Sequence, residues 1–109
     1  MPRALSRNAT ESLKLLGLEI TEARRARRMT ATELCERAST TPFTLRRVEK
    51  GDPGVAIGTV FELATIVGVP LFGAEDLTTM SSLTAIVQDR LALLPSRIRE
   101  SDEADDDDF

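Results

Sequence analysis

The sequence predicts an all-α fold, and three observations support that prediction. Apolar residues recur at steps of three and four along most of the chain, which is the spacing of a helix with one buried face. No segment alternates apolar and polar residues as a half-buried strand would. Capping residues, glycines and prolines lie where these segments begin and end. We therefore expect five helices followed by a C-terminal extension helix.

The first predicted helix spans about residues 9–28 and follows a flexible N-terminal arm, residues 1–8. Its buried stripe consists of Leu13, Leu16, Ile20, Ala23 and Ala26. Thr30 and Glu33 then match a capping box, in which each side chain satisfies a free backbone N–H at the start of the next helix. The second predicted helix therefore covers about residues 31–38. It buries Leu34, Cys35 and Ala38.

The third predicted helix follows after only a few turn residues. Thr41 is its N-cap, and Pro42 occupies the first helical position, where the missing N–H does no harm. The helix reaches about Lys50, because Gly51 is suited to end it. Two short capped helices joined in this way are typical of a helix-turn-helix, whose second helix enters the major groove of DNA. The segment 30–51 therefore predicts a partner as well as a shape.

The fourth predicted helix begins near Ile57 and stops at Gly68, with Pro70 beyond it. A short helical turn over residues 71–77 is the expected fifth helix. The loop of residues 52–54 separates the third helix from the fourth, because a proline there prevents the helix from continuing.

The C-terminal extension helix is expected over residues 79–95, with Ser81 or Ser82 as its cap and Pro95 at its end. Its apolar side consists of Leu83, Ile86, Val87, Leu91 and Leu94. Residues 96–109 contain too little apolar surface to fold alone, so we expect a disordered acidic tail.

The charges are segregated along the chain. The net charge is −4, but residues 100–109 contain seven of the 18 acidic residues. Residues 1–99 therefore carry 14 basic and 11 acidic residues, and residues 1–50 carry 11 basic and six acidic ones. A basic body with an acidic tail is a pattern of nucleic-acid-binding proteins.

Several function classes receive no support from the sequence. We find no apolar run long enough for a membrane span and no secretory signal at the N-terminus, so we expect a cytoplasmic protein. Cys35 is the only cysteine and lies on an apolar helix face, which indicates a core position. Histidine, a glycine-rich phosphate loop and a metal-ligand cluster are all missing from the sequence. We therefore expect no enzyme, no cofactor, no metal and no small-molecule substrate.

The chain resembles the Xre/Cro-type helix-turn-helix regulators over residues 16–78. Within that stretch, the pattern over residues 18–59, which includes the segment 45–55 (LRRVEKGDPGV), is most similar to the HipB-like antitoxins, which are encoded beside HipA-type kinase toxins. The segment 94–99 (LPSRIR) supports the same narrower resemblance. The resemblance implies a lambda-repressor-like DNA-binding domain over residues 9–78, with the third helix as the recognition helix.

The resemblance also implies which residues contact the bases. They are Thr41, Pro42, Phe43, Arg46 and Arg47. Many family members have glutamine or serine at the positions of Pro42 and Phe43, so base reading here depends on other chemistry. Apolar contact between Phe43 and a thymine methyl, and a bidentate contact from Arg47 or Arg46 to guanine O6 and N7, are the expected interactions. The alternative is a half-buried surface aromatic beside solvated arginines.

Phosphate contacts are expected where helix N-termini present free N–H groups to an anion. At the second helix these residues are Thr30, Ala31 and Thr32. At the third helix they are Thr41 and Thr44, and backbone amides near Gly54 to Ala56 add one more. Contacts of this kind fix the position of the protein on DNA without reading its sequence.

Two further interpretations concern arginines of the first helix. The resemblance pairs Arg24 with Glu49 as a structural ion pair beneath the recognition helix. Arg25, Arg27 and Arg28 are interpreted as a solvated helix end rather than as DNA ligands.

A homodimer is expected, because one recognition helix reads only a few base pairs and two are needed for half-sites about one helical turn apart. The expected seam uses apolar residues in excess of what a small core can bury. They are Leu71, Phe72, Leu77, Met80, Leu83, Ile86 and Val87. The alternative is that the last helix packs on its own domain.

The acidic tail has three interpretations: a solubilising end, a decoy for the basic groove, or a contact for a basic partner such as a toxin. The resemblance favours the last one. The toxin-contact residues would be Asp105, Asp106, Asp107, Asp108 and Phe109.

These features together predict a DNA-binding repressor that acts as the antitoxin of a HipA-like toxin and autoregulates its operon as a homodimer. One alternative is a free-standing Xre-type regulator without a toxin. The other is a protein-interaction module that has lost DNA binding.

Overall fold

The computed structural model describes residues 4–98, and in this range the protein is all-helical, as predicted. Five α-helices follow one another along these residues: α1 (Arg7–Ala26), α2 (Ala31–Ala38), α3 (Pro42–Glu49), α4 (Ile57–Val67) and α5 (Leu77–Ala92). No helix in the described part of the chain is long and apolar enough to cross a membrane.

The predicted caps of α2 and α3 are confirmed. The Thr30 hydroxyl accepts a hydrogen bond from the Glu33 N–H at 3.0 Å, and the Glu33 carboxylate accepts one from the Thr30 N–H at 2.9 Å. Thr41 accepts a hydrogen bond from the Thr44 N–H at 3.1 Å, with Pro42 as the first residue of α3. Local sequence therefore determines where both short helices begin.

The first helix differs from the prediction at both ends. Ser6 caps α1 by accepting a hydrogen bond from the Ala9 N–H at 3.1 Å, so the predicted N-terminal arm is shorter than residues 1–8. The helix ends at Ala26 rather than at Arg28, because Arg28 has a left-handed backbone with φ of 53°.

The predicted fifth helix over residues 71–77 is wrong. Leu71 and Ala74 form an antiparallel bridge across a tight turn instead. Phe72 and Gly73 in this turn have φ of 56° and 74°, which a right-handed helix does not accommodate.

The cap of the last helix was also placed incorrectly by the sequence. The side chain of Asp76 caps α5 by accepting a hydrogen bond from the Thr79 N–H at 2.7 Å, which also keeps the pKa of Asp76 below its usual value. Ser81 and Ser82 lie inside the helix. The helix therefore starts earlier than predicted and ends at Ala92.

The chain divides into two compact units, with the boundary between Glu75 and Asp76. In the first unit, α1 packs against α3 and α4, and α2 packs against α3 and α4. Its largest fully buried side chains are Ile20, Leu34, Leu45, Leu63 and Val67. The second unit contains α5, in which no residue is buried.

Cys35 is part of the core of the first unit, as predicted. Burial raises the pKa of the Cys35 thiol above its ordinary value, because desolvation disfavours the thiolate. The thiol is therefore neutral at physiological pH.

Candidate nucleic-acid interface

The third helix has one buried side and one exposed side. Leu45 and Val48 point into the core, with 1% and 4% of their surface exposed. The residues on the other side that are exposed to solvent include Thr41, Pro42, Phe43, Arg46 and Lys50. Of the predicted base-reading residues, Phe43, Arg46 and the half-buried Arg47 line one depression, whereas Thr41 and Pro42 are exposed at the start of α3.

This surface is cationic. A shallow open depression of about 320 Å³ is lined by Phe43, Arg46, Arg47, Lys50 and Asp52. It contains three basic residues and one acidic residue, so its local net charge is positive. A cationic, solvent-accessible helix surface is the electrostatic arrangement expected of a nucleic-acid interface.

Arg47 is held in place by three groups. Its Nε donates a hydrogen bond to Asp52 Oδ2 at 2.8 Å. Its guanidinium carbon lies 5.8 Å from the centre of the Phe43 ring, within the range of a cation–π contact. A Cβ added to Gly54 would lie 2.7 Å from Arg47 Nη2, so the glycine leaves the space that the guanidinium occupies.

Asp52 was not among the residues that the sequence singled out. Its Oδ1 accepts a hydrogen bond from the Gly54 N–H at 2.7 Å, while Oδ2 accepts the bond from Arg47. These two bonds keep the pKa of Asp52 below its usual value, and the same ion pair raises the pKa of Arg47. An aspartate before Pro-Gly is a signal for a turn of this kind, but nothing in that signal indicates the contact with Arg47.

Two of the predicted phosphate-binding residues need correction. The Gly54 N–H is already bonded to Asp52, so this group is not free for a phosphate. The Thr30 N–H is likewise bonded to Glu33. The N–H groups of Ala31 and Thr32 have no acceptor within their own helix, as for any first helical turn.

Glu33 affects the start of α2 in a second way. Its carboxylate already places a negative charge at this helix N-terminus, and the bond from the Thr30 N–H lowers the pKa of Glu33. An incoming phosphate therefore meets a repulsive charge at α2 that is missing from the start of α3, where no acidic residue lies in the first turn.

The ion pair that the resemblance implied is present. Arg24 Nε lies 3.1 Å from Glu49 Oε2, and the two side chains are only 13% and 17% exposed. Arg24 Nη1 also donates a hydrogen bond to the backbone oxygen of Met29 at 3.1 Å. Arg24 therefore connects α1 to the end of α3 and to the linker before α2.

Gly17 is a second feature that positions α3 and that sequence reasoning missed. A Cβ at Gly17 would clash with the backbone oxygen of Val48 and would lie 2.8 Å from the backbone oxygen of Glu49. The missing side chain thus allows α1 to approach the last turn of α3 closely. A glycine inside a predicted helix was the available signal, because such glycines usually have a packing reason.

Arg27, at the basic end of α1, is exposed, and its guanidinium lies close to Gly68. A Cβ at Gly68 would clash with the Arg27 guanidinium, which therefore lies against the C-terminus of α4. A cation at this position interacts favourably with the helix dipole. Gly68 itself has φ of 85°, which favours glycine at this helix end.

Comparison of the chain with protein-family models, with curated proteins and with solved structures found no match. A function for the protein can therefore be proposed only from the geometry described above and from the residue patterns of the sequence.

The structure describes residues of the predicted dimer seam but not those of the predicted toxin contact. Phe72 is 76% exposed and forms an edge-to-face contact with Phe61, with 6.1 Å between ring centres. Leu77, Ile86 and Val87 in the second unit are also exposed. The predicted toxin-contact residues, 105–109, lie outside the described residues.

Proposed function

We propose that the protein is a sequence-specific DNA-binding transcriptional regulator, in which α2 and α3 form a helix-turn-helix and α3 is the recognition helix. One observation carries this proposal. α3 buries Leu45 and Val48 and leaves Phe43, Arg46 and Arg47 on the accessible cationic side. The proposal includes a lambda-repressor-like arrangement of the first unit and a cytoplasmic location.

The proposed roles divide between base reading and positioning. Thr41, Pro42 and Phe43 face the bases in the major groove, and one of the two arginines of α3, Arg47 or Arg46, contacts guanine. Phosphate contacts come from Ala31, Thr32 and Thr44 and from the positive ends of the two helix dipoles. The ion pair of Arg24 with Glu49 keeps α3 in the orientation that this docking requires.

The first test measures DNA binding by the full chain. Duplexes are selected from a random pool, and affinity is then measured by fluorescence anisotropy over a range of salt concentrations. The logarithm of the binding constant is expected to fall linearly with the logarithm of salt concentration, because phosphate contacts release counterions.

The same assay tests the reading role. Arg47→Ala is expected to weaken binding to the selected sequence about 5- to 150-fold, which corresponds to about 1–3 kcal/mol, and to affect random DNA much less. Arg25→Ala, which removes an exposed arginine from α1, is the matched control and should change both affinities little. Equal losses on selected and random DNA for Arg47→Ala would contradict the role of Arg47.

A homodimer is the second part of the proposal. It is supported by the exposed apolar residues of the predicted seam in α5, of which Leu77, Ile86 and Val87 are 80%, 51% and 44% exposed. Exposed apolar surface of this kind typically marks an interaction site. Two copies would place two recognition helices on half-sites about one DNA turn apart.

Ile86→Glu is expected to convert the dimer to a monomer, because a charge would be buried in the apolar seam. Sedimentation of the full chain at several concentrations measures this change. Gln88→Glu adds the same charge at a neighbouring exposed position of α5 and should leave the dimer intact. A full chain that is monomeric at every concentration would exclude the dimer.

The narrower proposal, an antitoxin of a HipA-like toxin that autoregulates its operon, is supported only by the sequence resemblance in segments 45–55 and 94–99. The identity of the adjoining gene distinguishes it from a free-standing regulator. A chain that selects no DNA sequence, and whose weak binding does not respond to salt, would instead favour a protein-interaction module.

A further inference from the structure

We propose that Asp52 is a positioning residue that orients Arg47 toward guanine, and that Phe43 selects a 5-methylpyrimidine at the neighbouring base pair. The inference rests on the proposed function, because it concerns how α3 reads DNA. The DNA sequence that this surface recognises therefore includes a guanine next to a pyrimidine that carries a C5 methyl group.

Asp52 holds the Arg47 guanidinium by its Nε edge only. An arginine has five N–H donors, and Asp52 accepts only the one on Nε, at 2.8 Å. The other carboxylate oxygen of Asp52 is bonded to Gly54, so the carboxylate does not form a bidentate pair with Arg47. The terminal Nη1 and Nη2 groups, which suit guanine O6 and N7, therefore remain available.

The groups around Arg47 restrict the conformations of its side chain. Asp52 holds the Nε edge, and the Phe43 ring lies 5.8 Å from the guanidinium carbon, in a space that a Cβ at Gly54, 2.7 Å from Nη2, would partly occupy. A long side chain that is already held in one conformation loses less entropy when it binds. Arg47 is thus prepared for a directional contact before DNA arrives.

Arg46 provides the contrast within the same helix. Its side chain is exposed and forms no ion pair with any residue of the described range. An exposed arginine that no ion pair orients suits a phosphate, which accepts hydrogen bonds from many directions. This difference assigns base reading to Arg47 and backbone binding to Arg46, a choice that the sequence left open.

Phe43 places an exposed aromatic ring next to Arg47. Its ring is 62% exposed and lies beside the Arg47 guanidinium. Groups that lie this close on one helix reach the same or neighbouring base pairs, since base pairs are stacked about 3.4 Å apart along the duplex axis. An exposed aromatic ring there has an apolar partner in the C5 methyl group of a pyrimidine.

The charge of Asp52 gives the inference a distinctive consequence. A carboxylate on a DNA-binding surface repels phosphates and so weakens binding to any sequence. A role in orientation strengthens only the binding to sequences with the correctly placed guanine. Removing Asp52 should therefore lower the affinity for the selected sequence relative to the affinity for random DNA.

The test uses the full chain and the duplex selected from the random pool. Replacing the contacted guanine by 7-deazaguanine, which lacks N7, is expected to weaken wild-type binding about tenfold. At the neighbouring pyrimidine, thymine and 5-methylcytosine are expected to bind about fourfold more tightly than deoxyuridine and cytosine, because each pair differs by one methyl group. These two comparisons distinguish a methyl contact from recognition of thymine alone.

Asp52→Ala is expected to reduce the preference for guanine over 7-deazaguanine at least fivefold while leaving affinity for random DNA equal or higher. Asp52→Asn has only one oxygen acceptor, so it can keep the bond from Arg47 Nε or the bond from the Gly54 N–H but not both, and it should restore part of that preference. Glu62→Ala removes an exposed acidic residue of α4 that forms no ion pair within residues 4–98, and is the control for the change in net charge.

A second variant guards against a folding defect in Asp52→Ala. Gly54→Ala retains both Asp52 and Arg47 but places a methyl group 2.7 Å from Nη2, so it should displace the guanidinium and reduce the same preference. Thermal unfolding followed by circular dichroism shows whether each variant is folded.

Three results would overturn the inference alone: equal weakening of all duplexes by Asp52→Ala, equal strengthening of all duplexes, or selected sites without the guanine and its methylated neighbour. In each of these cases salt-dependent DNA binding by the wild-type chain would persist. Loss of the proposed function is distinguishable, because the wild-type chain would then select no sequence and show no salt dependence.

Discussion

Replacing Gly17 by alanine is expected to lower the free energy of unfolding by about 2–3 kcal/mol, because the added methyl group would overpack the contact between α1 and α3. The atoms that it would meet are the backbone oxygens of Val48 and Glu49, which cannot move without shifting the last turn of α3. The gain in helix propensity from glycine to alanine, about 1 kcal/mol, offsets only part of this cost. Urea unfolding of the two proteins measures the difference.

Gly58→Ala is the matched control for this substitution. Gly58 lies in the first turn of α4, and an added Cβ there meets no atom within 4 Å. The same chemical change should therefore stabilise the protein by about 0.5–1 kcal/mol, because alanine restricts the unfolded chain more than glycine does. Equal stability of the two variants would contradict the close approach of α1 to α3 at Gly17.

Arg24→Ala is expected to lower the free energy of unfolding by about 2–4 kcal/mol, since it leaves the largely buried Glu49 carboxylate without its partner. It also removes the hydrogen bond to the Met29 carbonyl, which joins α1 to the linker before α2. Urea unfolding measures the loss. Arg25→Ala removes an exposed arginine from the adjacent position and should change stability by less than about 0.5 kcal/mol.

A double variant separates the two effects of this ion pair. Arg24→Met combined with Glu49→Leu replaces both charges by apolar groups, so no buried charge remains unpaired, and most of the lost stability should return. DNA affinity should not return to the same extent if the pair orients α3. A double variant no more stable than Arg24→Ala would show that the cost does not come from the unpaired carboxylate.

The parts of the fold that the sequence predicted correctly depend on local signals. Thr30 with Glu33, and Thr41 with Pro42, specify the starts of α2 and α3 within four residues of chain, and both starts are confirmed. The core position of Cys35 also followed from helical spacing.

The parts that the sequence missed depend on contacts between segments or on unusual backbone angles. The turn at Phe72 requires a left-handed backbone at a bulky residue, which no propensity indicates. The contact of Gly17 with α3 joins residues that are distant in the chain. The bond between Arg47 and Asp52 crosses the end of a helix, so helical periodicity does not pair them.

For the candidate site, the sequence named the exposed residues of α3 but not the group that orients one of them. Phe43, Arg46 and Arg47 share a surface because their spacing places them opposite Leu45 and Val48. The pairing of Arg24 with Glu49 came from the resemblance, since the two residues are 25 positions apart. Their contacts with DNA stay predictions.

Because Cys35 is buried, the reaction of its thiol can be used to measure how often the core opens. A thiol reagent can modify this side chain only when the packing around it separates, and the sequence contains no other cysteine that would react. The modification rate therefore follows how often the interior becomes accessible, without any label being introduced. If the protein binds DNA as proposed, DNA that binds only the packed form should slow that rate by a factor that grows exponentially with the free energy it adds.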